Sequence, residues 1–203
     1  MEIRLAHPER LIVSTETGPV LGFNQEWFPA EWQRLAGCGP TTSAMLTTYR
    51  KGGTPRTKDD AVREMLAVLP YATPRMLGLW RTHWLASGLR AYLADQKRSG
   101  RVESLSVPPL SFLRPSEETL FRFISEGLLA DSPVAFLNRH SGGDAVLPAW
   151  HWMPLVALSD ETGALVATLL DEGKEISCDL SRWRKETRSG GGFVRILNEK
   201  EIQ

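Results

Sequence analysis

Residues 37–45 read GCGPTTSAM, and they hold the sharpest chemical signal in the chain. Cys38 lies between two glycines, and Pro40 opens an apolar-periodic run. Proline and glycine are poor inside a helix, but proline suits its first turn. Cys38 is therefore expected at a helix N-terminus, where free N–H groups and the helix dipole favour a thiolate over a thiol. Thr41, Thr42 and Ser43 suit the same turn, because their hydroxyls can serve otherwise unpaired amides. Gly37 and Gly39 keep side chains away from the sulfur. A small buried cysteine that happens to begin a helix would carry the same signal.

A thiolate nucleophile needs a histidine to pair with it and later to protonate a leaving group. There are four histidines. His7 is near a terminus. His83 lies between Trp80 and Trp84 and reads as packing. His140 sits in a turn-rich loop, Asn138 to Gly143. His151 begins the strand-like run HWMPLVAL, where alternation turns it away from Trp150 and Trp152. A histidine is usually oriented by a third group. Asp171 ends the next apolar run, GALVATLLD. A hairpin turning at Ser159–Thr162 brings His151 and Asp171 to the same end, within a residue or two of being opposite. Glu172 and Asp160 remain alternatives for the orienting group.

The elements that must position these residues follow from periodicity. Residues 10–14 form a short strand-like run. Residues 22–37 read as a loop with at most a helical turn at Glu31–Leu35. Helical spacing then covers Cys38 to about Tyr49, ended by Gly52 and Gly53. Further helices are expected at about 58–68 (capped by Thr57), 80–97 and 116–128. The period then changes to two, with strands at 133–138, 150–158, 163–171 and 192–197, and a short helix at 179–186. Helices first and a mostly antiparallel sheet afterwards make an α+β pattern, read as one domain over 1–203 with a helical part at about 22–130 and a sheet part at about 131–203.

The order Cys38, His151, Asp171, with a helix starting at the cysteine and a hairpin carrying the other two, resembles the papain-like cysteine peptidases. GCGPTTSAM is most similar to the bacterial peptidases of the double-glycine-leader type. The resemblance spans about residues 22–197 and is specific at 37–45. It implies a papain-like fold and a thiol-dependent hydrolase that cleaves a peptide, isopeptide or other amide bond through an acyl-enzyme on Cys38. His151 would be base then acid, and Asp171 the orienting group. The family also carries a glutamine whose amide joins the cysteine N–H in an oxyanion hole. Gln25, in the loop-like FNQEWFP, is preferred for that role. Gln33, nearer to Cys38 in sequence, is the alternative. Two other functions remain open: an acyltransferase of transglutaminase-like or phytochelatin-synthase-like type using the same residues, and a non-catalytic module on the same scaffold. Faster product formation on adding amines would mark the acyltransferase. The segment 51–132 departs from the pattern as a long helical insertion and is expected to wall the cleft.

Composition narrows the remaining classes. Twenty-four basic residues balance 24 acidic ones among 203, so no electrostatic reason favours nucleic acid or an anionic membrane. Two cysteines build neither a disulfide framework nor a four-cysteine zinc site. No CxxC, HxxxH or HExxH occurs, and the glycine-rich RSGGGF precedes a strand rather than opening a helix, so no metal or phosphate-binding cofactor is expected. The basic RWRKETR run is expected to be solvated. Cys178, in EISCDL, reads as a packed strand residue. The first residues carry no secretory signal, and no apolar run approaches the ~20 residues that span a bilayer. A cytoplasmic protein with unbridged cysteines and a peptide or protein substrate is the resulting expectation.

Overall fold

The computed structural model describes residues 1–53, 56–75, 78–161 and 163–198. The architecture is mixed α+β. Ten strands are named in chain order: β1 (Glu2–Arg4), β2 (Ile12–Thr15), β3 (Gly18–Leu21), β4 (Arg56–Thr57), β5 (Arg101–Val107), β6 (Val134–Asn138), β7 (His151–Ser159), β8 (Val166–Asp171), β9 (Lys174–Asp179) and β10 (Gly191–Leu197). Six α-helices accompany them: α1 (Glu31–Ala36), α2 (Cys38–Lys51), α3 (Lys58–Val68), α4 (Thr82–Asp95), α5 (Glu117–Leu129) and α6 (Leu180–Glu186).

The main sheet runs β5-β10-β6-β7-β8-β9, every pairing antiparallel. The β1 strand pairs with the far half of β7, Ile3 opposite Leu158, on the edge that β6 leaves free. A second, three-stranded sheet has the order β3-β2-β4. The sheet part is therefore not confined to 131–203. Both β1 and β5 belong to the main sheet, so 51–132 is not a purely helical insertion. Strand β5 (RVESLSV) escapes a sequence reading because Glu and Ser carry little strand propensity and it is an edge strand. Only Val102 and Val107 are fully buried along it. Residues 54, 55, 76 and 77 of that segment, Thr162 of the expected turn, and 199–203 of the expected domain lie outside the described residues.

Helix α2 is the centre of the packing. Ala44, Met45, Leu46 and Tyr49 are buried, and the helix lies against β7 and α3. Gly52, at φ 67°, ends it as the sequence predicts. Thr57 caps α3 through Asp60 N–H, and Ser116 caps α5 through Thr119 N–H. The first-turn hydroxyls of α2 behave differently from the expectation. Thr41 Oγ1 and Ser43 Oγ are buried without a hydrogen-bond partner, and Gly37 provides no side-chain cap. A helix, α1, runs directly into α2, so those hydroxyls face packing rather than free amides.

Candidate active site

One end of the main sheet gathers the site. It holds the start of β7 at His151, the end of β8 at Asp171, and the end of β6 at Asn138, which pairs with His151. Cys38 opens α2 at the same place, and a cleft is lined by Cys38, Gln25, Thr41, His151, Asp171 and Glu172 among others. Residues far apart in sequence meet there because α2 packs on β7.

The relation between His151 and Asp171 depends on a β-bulge. Ser159 pairs with Val166, Leu158 with Ala167 and Ala157 with Thr168, but Leu155 pairs with Leu169. The register shifts by one residue at Val156. Carried along the strands, the shifted register sets Asp171 opposite Met153, on the same face as His151. Without the bulge it would set Asp171 opposite Pro154, on the other face. The Glu172–Gly173 turn then fixes where β8 ends. Glu172 has φ 47° and Gly173 φ 82°, the two positive values of a two-residue hairpin turn between Asp171 and Lys174.

His151 Nε2 and Asp171 Oδ1 are 2.8 Å apart, with side chains 17% and 22% exposed. With Nε2 committed to Asp171, Nδ1 is the ring nitrogen left for Cys38, which lines the same cleft. Burial works against an imidazolium here. The hydrogen bond to Asp171 and the nearby Cys38 outweigh it and raise the His151 pKa to about 10. The ring is therefore protonated at neutral pH and stands beside a half-buried cysteine. Cys178 is the contrast. It is fully buried on β9, and burial together with the Asp144 and Asp179 charges pushes its thiol well up. Such a thiol is inert.

The two glutamines separate clearly. Gln25 lines the cleft, and its Nε2 donates to Arg34 O at 2.9 Å. That leaves a second N–H on the same nitrogen. Its Oε1 is buried without a partner. Gln33 is instead a helix-capping group: its Oε1 accepts from Ala30 N–H at 3.1 Å, and it is not among the residues of the cleft. The other acidic alternatives also separate. Asp160 lies past the far end of β7 and binds the N-terminal ammonium. Glu172 is at the cleft on the turn after Asp171. Of the remaining histidines, His7 pairs with Glu9, His83 stands edge-on to Trp84, and His140 accepts from Gly142 N–H.

Gly37 is needed for a reason other than access to the sulfur. A Cβ there would stand 2.2 Å from Gln33 O and 2.7 Å from the Phe28 ring. At Gly39 a Cβ would meet Leu79 Cδ1 at 2.8 Å. Both glycines permit the close packing that brings α1, α2 and Leu79 together.

A second cleft of about 330 Å³ adjoins Cys38 on its other side, walled by Leu35, Leu79, Trp80, Leu137, Trp150 and Trp152. Trp152 is buried and donates to Leu79 O, which ties β7 to the loop before α4. Trp150 does not continue the strand. It adopts φ 58°, an outlier for a bulky residue, and is 56% exposed. Sequence alternation alone misses that backbone turn, although the indoles still share one cleft. Gly78, Leu79 and Trp80, from the 51–132 segment, form one of its walls.

Among the described residues, no helix is long and apolar enough to cross a membrane, and no group of three His, Cys, Asp or Glu is placed to hold a metal ion. No protein-family model matches the chain, and no curated protein matches its sequence.

Proposed function

We propose that the chain is a thiol-dependent hydrolase of the papain-like kind, cleaving a peptide, isopeptide or related amide bond. The observation that carries this reading is that Cys38, His151 and Asp171 line one cleft, with His151 Nε2 2.8 Å from Asp171 Oδ1 and an apolar cleft adjoining Cys38. In this reading, Cys38 Sγ attacks the scissile carbonyl as a thiolate beside the His151 imidazolium. The carbonyl oxygen becomes an oxyanion. It meets the backbone N–H of Cys38 at the start of α2 and the second N–H of Gln25 Nε2. Collapse breaks the C–N bond, and His151 passes its proton to the leaving amine. Water, deprotonated by His151, then attacks the thioester, releasing a carboxylic acid and the thiol. Asp171 holds the ring with Nδ1 towards Cys38 and stabilises its positive charge.

The test is to incubate a proteome-derived peptide mixture with the protein and with Cys38→Ala, and to compare new termini by mass spectrometry. New termini with the wild type alone, and a Cys38 adduct with a peptidyl vinyl sulfone, are expected. The same termini in both samples, or in neither, would overturn the proposal.

A further inference from the structure

A basic cleft of about 260 Å³ shares the Trp80 wall with the tryptophan cleft beside Cys38. Its polar lining is Arg81, Thr82, His83, Ser106 and Arg139, with no carboxylate among the described residues. Arg139 follows Asn138, the residue paired with His151, so this cleft lies at the same end of the sheet as the site. The Arg139 backbone is anchored by its N–H on Gly190 O. Its Nε is buried without a hydrogen-bond partner among the described residues. Arg81 is held by stacking, its guanidinium 4.2 Å from the Trp80 ring centroid and 5.4 Å from that of Trp84. Thr82 Oγ1 and Ser106 Oγ are 2.8 Å apart and share one proton between them, leaving the other hydroxyl proton free to donate. Burial and the nearby Arg81 charge both lower the Arg139 pKa. Two like charges lining one cleft, one of them partly desolvated, favour an anion between them.

We propose that this cleft binds an anionic oxygen group, a carboxylate or a phosphate, between Arg81 and Arg139. Resting on the function proposed above, the group belongs to the substrate whose scissile bond lies at Cys38. The tryptophan cleft would then hold an apolar stretch, with the anion fixing its register at the Trp80 end. A planar guanidinium fork suits either anion bidentately, which is why the experiment separates the two.

Binding is measured with Cys38→Ala protein, so that turnover plays no part, by calorimetry and by the indole N–H shift of Trp80. The probes are N-acetyl-dialanine as free acid, its amide, and inorganic phosphate. The free acid should bind at least about tenfold tighter than the amide, with phosphate competing for the same place, and Arg139→Gln should weaken both anions about tenfold or more. Arg81 is exposed, so Arg81→Gln tests the same point at a surface position, and it should act alike. Phosphate binding tighter than the acid identifies a phosphate site; the reverse identifies a carboxylate site. No saturable binding of either anion up to about 10 mM, equal binding of acid and amide, or unchanged affinity in both glutamine variants would overturn the inference. None of those results bears on whether Cys38 is a nucleophile, which alkylation decides separately.

Discussion

Replacing Asp171 by Asn removes one negative charge and keeps an oxygen able to accept from His151 Nε2–H. The wild-type ring has a pKa of about 10 against an ordinary 6.5, a gap that corresponds to about 5 kcal/mol favouring the protonated form. Asp171 and Cys38 supply it against the cost of burial. A neighbouring charge at this range contributes about 1–3 pKa units, so His151 in Asp171→Asn should titrate between about 7 and 9. The sign for stability follows. A group whose folded pKa is raised stabilises the fold fully below its unfolded value near 6.5 and loses that contribution as pH rises through the folded value. Near pH 6 the wild type should therefore exceed the variant by about 1.4–4 kcal/mol, and the difference should vanish above about pH 10. The assay is an NMR titration of 13C-labelled histidines beside urea unfolding at several pH values. A wild-type His151 titrating near 6.5, or a variant indistinguishable from wild type, would show that Asp171 does not hold the ring charged.

Other expectations follow from single contacts. Gly37→Ala should lower stability by about 1–3 kcal/mol in urea unfolding, because the new methyl meets the Gln33 carbonyl and the Phe28 ring. Gln25→Ala should cut kcat by about 10²–10³ on whichever amide substrate is found, with the fold intact; Gln33→Ala should instead lose about 1 kcal/mol of stability through its cap and leave kcat nearly unchanged. Trp150→Gly relieves a left-handed backbone costing about 1–3 kcal/mol. Thermal unfolding should show no loss of stability, while KM rises as the cleft loses a wall.

Much of the layout is legible in the sequence because it rests on local signals. The start of α2 at Cys38, the Gly52 stop, the Thr57 cap and the strand periods at β6, β7, β8 and β10 are local patterns, and all appear at or near the expected places. The expected strand from Gly163 begins at Val166, because a longer loop takes up the turn. What sequence cannot carry is what depends on pairing. Strand β1 exists through its ladder to β7, and β5 through its ladder to β10. The bulge at Val156 has no composition signal, yet it decides which face Asp171 shares. The contacts of the two glutamines also depend on packing: α1, a six-residue helix, uses Gln33 as a cap and offers Arg34 O to Gln25. The arginine pair joins residues from the loop before α4 and the end of β6, so no linear motif announces it.

Activation of Cys38 by His151, as proposed above, is read out by alkylation. Iodoacetamide rates across pH, with the label mapped, should show fast modification of Cys38 alone, persisting well below the free-thiol midpoint near about 8.5. In His151→Ala that enhancement should disappear, and Cys178 should stay unlabelled while the protein is folded. A Cys38 that reacts no faster than a free thiol, or equally fast with and without His151, would show that His151 does not activate it.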